Sequence, residues 1–322
     1  MRPDRMRCAA AILVAALWAA APVPAAGEGD VPAAILLSCT GEVTVARAGG
    51  DRTAGSFGMA LYAGDEVLTD GGSEAEIHFE NGTWLQVGAN GRLMIKGAGS
   101  ERRAGGVEVG KKSFEVVQNM LRLKDPAGTS SLASLRSAPQ APQIVLRSPC
   151  NTSIRPGPPL FVWEAPGLDE PLRLTLYGED GVIHEAPARG SGSISYPDGS
   201  PALQPGIAYS WTVETTDPLR IPPIRSAAAF FEILPAGDAA ALDEELSAID
   251  PSGIRNEATY HFLRASAFFS HGLNEEAIAE MRGALEGDGG TREMRAILAR
   301  LLAETGRTAE AMEEYGRIMG GR

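Results

Sequence analysis

The chain has 322 residues, too many for one ordinary hydrophobic core and suited to two or three modules. Hydrophobic residues at 44% and charged residues at 22% supply enough material for real cores and exclude disorder throughout. A formal net charge of -12 works against nucleic-acid binding, while 3 cysteines and 4 histidines exclude a disulfide-dense scaffold and leave little for a zinc cage.

Arg2, Arg5 and Arg7 precede an apolar run from Cys8 to Ala21, which Pro22 and Pro24 terminate; Ala25 and Ala26 offer small residues for cleavage. Residues 1–26 therefore read as a cleavable signal peptide, placing the mature chain in the periplasm or another extracytoplasmic space of a bacterial envelope. An uncleaved anchor is the alternative, although a bilayer span wants about 20 apolar residues. No later segment reads as a span, and the removed residues carry three arginines against one aspartate, so the mature chain is more acidic still. Cys39 and Cys150 remain; in an oxidising space they form a disulfide or stand as two buried thiols. Leu36-Leu37-Ser38-Cys39 makes a poor lipid-attachment box, because Glu28 and Asp30 interrupt the apolar stretch before it.

Residues 33–98 alternate short apolar runs with glycine turns and read as an all-β unit, with strands expected at 34–38, 42–47, 74–79, 83–87 and 92–95. Asn81-Gly82 suits a two-residue hairpin loop that sets Phe79 opposite Trp84 and Leu85 across from His78, which makes the second strand buried on both faces. Gly41-Glu42-Val43, Leu61, Gly64-Asp65, Val67-Leu68-Thr69, Ala75, Ile77, Phe79, Asn81-Gly82-Thr83, Leu85, Val87, Leu93 and Ile95 together resemble the FecR-type extracytoplasmic domain over about sixty residues. The resemblance implies that domain's fold and setting. It does not imply control of a sigma factor, because the cytoplasmic segment of the best-known members has no counterpart ahead of the export signal.

Residues 99–143 form a connector rich in Gly, Ser and Pro, and from Arg92 to Arg136 basic residues outnumber acidic ones. An anionic envelope polymer is one partner for that stretch, and the protein's own acidic helices are the other. Phe114, Val117, Leu121 and Leu123 suit a short amphipathic helix docking on the β unit. Residues 144–234 carry alternating runs at 160–163, 172–177 and 209–213 separated by prolines, which resembles an immunoglobulin or fibronectin type III sandwich; Trp163 and Trp211 are expected in its core.

Over residues 238–322, Ala265, Phe268, Gly272 and Ala277 recur 34 positions later as Ala299, Leu302, Gly306 and Ala311, and this resembles the tetratricopeptide repeat. His261, Arg264 and Gly289 depart from that pattern. Helices are expected at 257–271, 274–286, 292–304 and 307–319, with an extra helix at 239–249 covering the leading edge. Two repeats leave their trailing edge for a partner or for self-association to cover. The resemblance puts Phe262, Ser266, Phe269 and Arg300 on the concave side, with Phe262 and Phe269 either anchoring a partner or packing against the 239–249 helix.

Motifs for chemistry fall short. Gly105 to Lys111 nearly spells a phosphate loop, but Lys112 replaces the hydroxyl residue. Thr69-Asp70-Gly71 lacks the residue that an aspartic-protease loop needs after its aspartate, and there is no nucleophile elbow, His-Glu-x-x-His or Cys-x-x-Cys. The expectation is a multidomain protein: an all-β FecR-like module and a β-sandwich followed by an all-α tetratricopeptide-like tail. It is expected to be an exported protein-protein interaction scaffold of the cell envelope, without catalysis, metal or cofactor. A periplasmic sensor relaying to a membrane partner and an envelope-polymer hydrolase are the alternatives.

Overall fold

The computed structural model describes residues 32–96, 107–108, 113–124, 144–249, 254–286 and 290–320. The signal peptide of residues 1–26, the near phosphate loop and most of the 99–143 connector lie outside them. Pro32–Arg322 form one compact unit. Mostly antiparallel β structure comes first, and a helical region ends the chain.

Two sheets enclose the first core. One has the order β4 (Met59–Leu61), β1 (Ala34–Thr40), β6 (Glu74–Phe79), β7 (Thr83–Val87) and β9 (Val107–Glu108); the other has β3 (Arg52–Ala54), β2 (Val43–Ala46), β5 (Glu66–Thr69) and β8 (Arg92–Met94). Leu36, Ile77, Leu85 and Val87 of the first sheet share a core with Val43, Val45 and Val67 of the second. Neighbouring positions of the first sheet face away from that core and are buried too: Ile35, Leu37 and Trp84 belong to a different cluster. That is why β1 reads as an unbroken apolar run, as expected of a strand covered on both faces.

The hairpin differs from its expected register by one residue. Ile77 pairs with Leu85 and His78 with Trp84. The Gly82 amide donates to the Phe79 carbonyl at 2.9 Å, and Gly82 takes φ +80°, so the loop has three residues and ends on a left-handed glycine. The slip puts His78 and Trp84 on one face, their rings 6.0 Å apart. Strands β3, β4 and β5 were not expected; each is short, and β3 is exposed along its length, so none carries a periodic signal.

The middle region is a sandwich of β10 (Val145–Ser148), β12 (Leu160–Glu164) and β15 (Gly192–Ser195) against β11 (Thr152–Ile154), β17 (Ala229–Ile233), β16 (Ala208–Thr215), β13 (Pro171–Gly178) and β14 (Gly181–Arg189). Phe161, Trp163, Leu174, Trp211 and Phe231 fill the space between the sheets. Both tryptophans are core residues, as expected: Trp163 Nε1 donates to the Gly190 carbonyl at 2.6 Å and Trp211 Nε1 to the Pro149 carbonyl at 2.9 Å.

Six α-helices are described: α1 (Ser113–Leu121), α2 (Ala236–Ala248), α3 (Glu257–Ser270), α4 (Asn274–Ala284), α5 (Arg292–Glu304) and α6 (Thr308–Gly320). Ala265, Ala277, Ala299 and Ala311 are wholly buried where helices meet, while Gly272 and Gly306 end α3 and α5 at φ +74° and +78°. The 34-residue recurrence is thus a recurrence of packing positions. Leu242 of α2 is buried on the leading edge, as expected. Among the described residues no helix is long and apolar enough to cross a membrane.

Of the two alternatives for the cysteines, the disulfide is not formed: Cys39 and Cys150 are free thiols. Cys39 packs against the first core, whereas Cys150 belongs to the core of the sandwich. Burial pushes the two thiols up to about 11 and about 12, which leaves both protonated near neutrality.

Candidate functional site

Helix α1 sits where the β and helical regions meet. Its Phe114, Val117, Met120 and Leu121 recur three and four residues apart and are all buried. They join one cluster with Ile35, Leu37 and Trp84 from the first sheet and with Phe262, Leu263, Leu298 and Leu301 from the helices. The α1 helix packs on α3, and the following 3-10 turn, Arg122–Lys124, packs on α5. The connector helix therefore docks on the β unit as expected, and it also packs on the face of the helices where Phe262 was read as either a partner anchor or an internal contact. Periodicity predicted an apolar stripe of one width, and α1 is buried between two surfaces.

The four residues read as candidates for partner binding separate accordingly. Phe262 is fully buried, edge-on to Phe57 of the β unit with ring centroids 4.9 Å apart. Ser266 is also buried and donates to the Phe262 carbonyl at 2.8 Å. Phe269 is half-buried against the same cluster. Arg300 is partly exposed and pairs with Glu304 at 2.7 Å. Phe262 and Ser266 thus serve internal packing, whereas Arg300 stays at the surface.

Two polar clasps reinforce this docking, and sequence reading found neither. In the first, Asn256 caps α3 by accepting from the Thr259 amide at 3.1 Å, while its Nδ2 donates to Ser38 Oγ at 2.9 Å and its backbone N–H donates to Glu76 Oε1 at 3.2 Å. Glu76 is buried, and desolvation raises its carboxyl above the usual range against the opposing pull of Thr259 and the Asn256 amide. Two residues along the same face, His78 is fully buried with Nε2 2.9 Å from Ser113 Oγ at the start of α1. Burial pushes its imidazole down to about 4, so it is neutral at physiological pH. Glu76 and His78 alternate with Ala75, Ile77 and Phe79, which reads as a half-solvated strand. The apolar residues at Ile35, Leu37 and Trp84 on the paired strands were the signal that this face is covered.

The second clasp joins the sandwich to both repeat turns. The Ser153 amide donates to the Gly272 carbonyl at 2.8 Å, and the Asn274 amide donates to Thr152 Oγ1 at 2.9 Å. Asn151, at φ +48°, accepts from Asn274 Nδ2 at 2.7 Å and donates through its own Nδ2 to the Glu304 carbonyl at 3.0 Å. Beside this clasp lies a cleft of about 520 Å³ lined by Ile144, Leu146, Cys150, Ile224, Ala229 and Thr305 among others. Its thiol is held protonated, as described above.

The outer surface presents a different feature. Between β16 and β17 the chain turns through residues 216–224 and carries Leu219 and Ile221, which are 91% and 87% exposed. The loop is braced: Arg220 pairs with Glu170 at 2.5 Å, the Leu219 amide donates to Asp217 Oδ1 at 2.9 Å, and the Thr216 amide donates to the Pro171 carbonyl at 2.9 Å. Among the described residues no three His, Cys, Asp or Glu side chains are grouped to hold a metal ion. Comparison with known proteins found no matching family model and no matching curated protein.

Proposed function

We propose that this chain is an exported, noncatalytic scaffold of the bacterial cell envelope, made of a FecR-type extracytoplasmic domain, an immunoglobulin- or fibronectin-like sandwich and two tetratricopeptide-like repeats. In this reading the repeats serve first to join the modules, because α1 takes up their inner face, and partner contact falls to outer surfaces. The braced loop with Leu219 and Ile221 carries the reading: two large aliphatic side chains projecting from an ordered turn gain nothing in water and suit burial against a protein. The envelope setting rests on residues 1–26.

The test is crosslinking in intact envelopes of the full chain against the double variant Leu219→Asp, Ile221→Asp. Both positions are nearly bare, so the variant should keep the wild-type melting temperature. Loss of discrete crosslinked species with retained export supports the proposal. Unchanged crosslinks would remove the loop from it, and recovery of full-size protein from the cytosol would remove the envelope.

A further inference from the structure

Helix α6 ends the repeat pair with one face uncovered. Met312 and Met319 are 42% and 78% exposed. At 100° per residue they line one side of a strip whose middle is Gly316, while Glu313 and Arg317 line the other side. Open space stands before Gly316: a side chain added there would meet nothing within 4 Å. Ala311 and Glu314, by contrast, point into the molecule.

We infer that this face is an interface with a second copy of the same chain, α6 against α6, antiparallel about a two-fold axis near Gly316. The spacing is self-complementary. Reversing the helix about a point between Tyr315 and Gly316 sets Met312 opposite Met319 of the copy, and the same operation brings Glu313 to within one residue of level with Arg317 of the copy on the other side, about 1.5 Å along the axis. A two-fold axis demands such matching, and an unrelated partner would give no reason for it. Glu313 makes no ion pair among the described residues, whereas Arg317 is 55% exposed and shares Glu314 with Arg295. The missing side chain at Gly316 lets the two backbones approach. One helix face is well below the ~1,200 Å² of a standard interface, so association in the range of about 10 to 500 µM is expected. This inference is independent of the Leu219–Ile221 loop.

Sedimentation equilibrium of the mature chain over that concentration range tests it. The wild type should show a monomer–dimer equilibrium, and Met312→Glu should weaken it at least tenfold. Glu313→Arg and Arg317→Glu should each weaken it when alone, because each sets like charges together. Mixed in equal amounts, the two variants should associate again, since mixing restores opposite charges at both pairs. Circular dichroism and melting checks that each variant is folded. A wild type that stays monomeric throughout, single variants that dimerise like the wild type, or a mixture that fails to recover would each overturn the inference.

Discussion

His78→Phe removes the one titratable group among the described residues that is wholly enclosed between the first sheet and α1. In the folded protein the imidazole titrates at about 4, against an ordinary value of 6.5. Between those values the unfolded chain takes up a proton that the folded chain refuses, so stability is present above pH 6.5 and is lost as pH falls. The shift corresponds to about 3 kcal/mol between pH 7 and pH 4, at a slope approaching 1.4 kcal/mol per pH unit. Phenylalanine fills a similar volume but leaves the Ser113 hydroxyl without the 2.9 Å contact to His78, a cost independent of pH. Urea unfolding at fixed ionic strength, followed by tryptophan fluorescence at several pH values from 7 to 4, gives both stabilities. Glu76 and the other titrating groups contribute to both proteins and cancel in the difference. The wild type should lose about 3 kcal/mol relative to the variant across the range. A difference that stays flat with pH would refute the enclosure of His78 and, with it, the docking of α1 on this face.

Glu76→Gln should stabilise the protein at neutral pH, because the raised carboxyl makes its charged form costly when folded; the gain should shrink as pH falls toward 4.5, where the free side chain also protonates, and the same urea series reads it. Met120→Ala should cost about 2 to 5 kcal/mol, the range for emptying a fully buried site, whereas Asn119→Ala on the exposed side of α1 should stay within about 0.5 kcal/mol. Equal small effects at both positions, measured by thermal melts, would mean that α1 is not part of the core.

Much of the fold was legible because its signals are periodic. The four repeat helices follow from alanine and glycine positions 34 apart, and three of the sandwich strands, β12, β13 and β16, follow from alternation that includes Trp163 and Trp211. What escaped was non-local. The hairpin register turned on whether Gly82 closes a two- or three-residue loop, and Asn-Gly chemistry suits both. The filling of the repeat groove could not be read from Phe262 and Ser266, because a concave position looks the same whether a partner or the chain's own helix covers it. Glu76, His78 and Asn256 are polar and carry no local signal of being covered, and their contacts reach elements up to 218 positions away. The exposed pair Leu219 and Ile221 carried no periodic signal and looked like ordinary loop apolars.

The sandwich's grip on both repeat turns turns the 34-residue period into a ruler. Asn151 touches the first turn through its own carbonyl, which accepts from Asn274 Nδ2, and the second through its side chain, which donates to the Glu304 carbonyl, so one residue measures the distance between successive repeats. A third repeat inserted between them would carry the second turn out of reach, and one placed ahead of them would collide with α2, which is packed on that edge. Growth of the array is therefore open at one end alone, and its length at the other is fixed by a neighbouring module that is not itself a repeat.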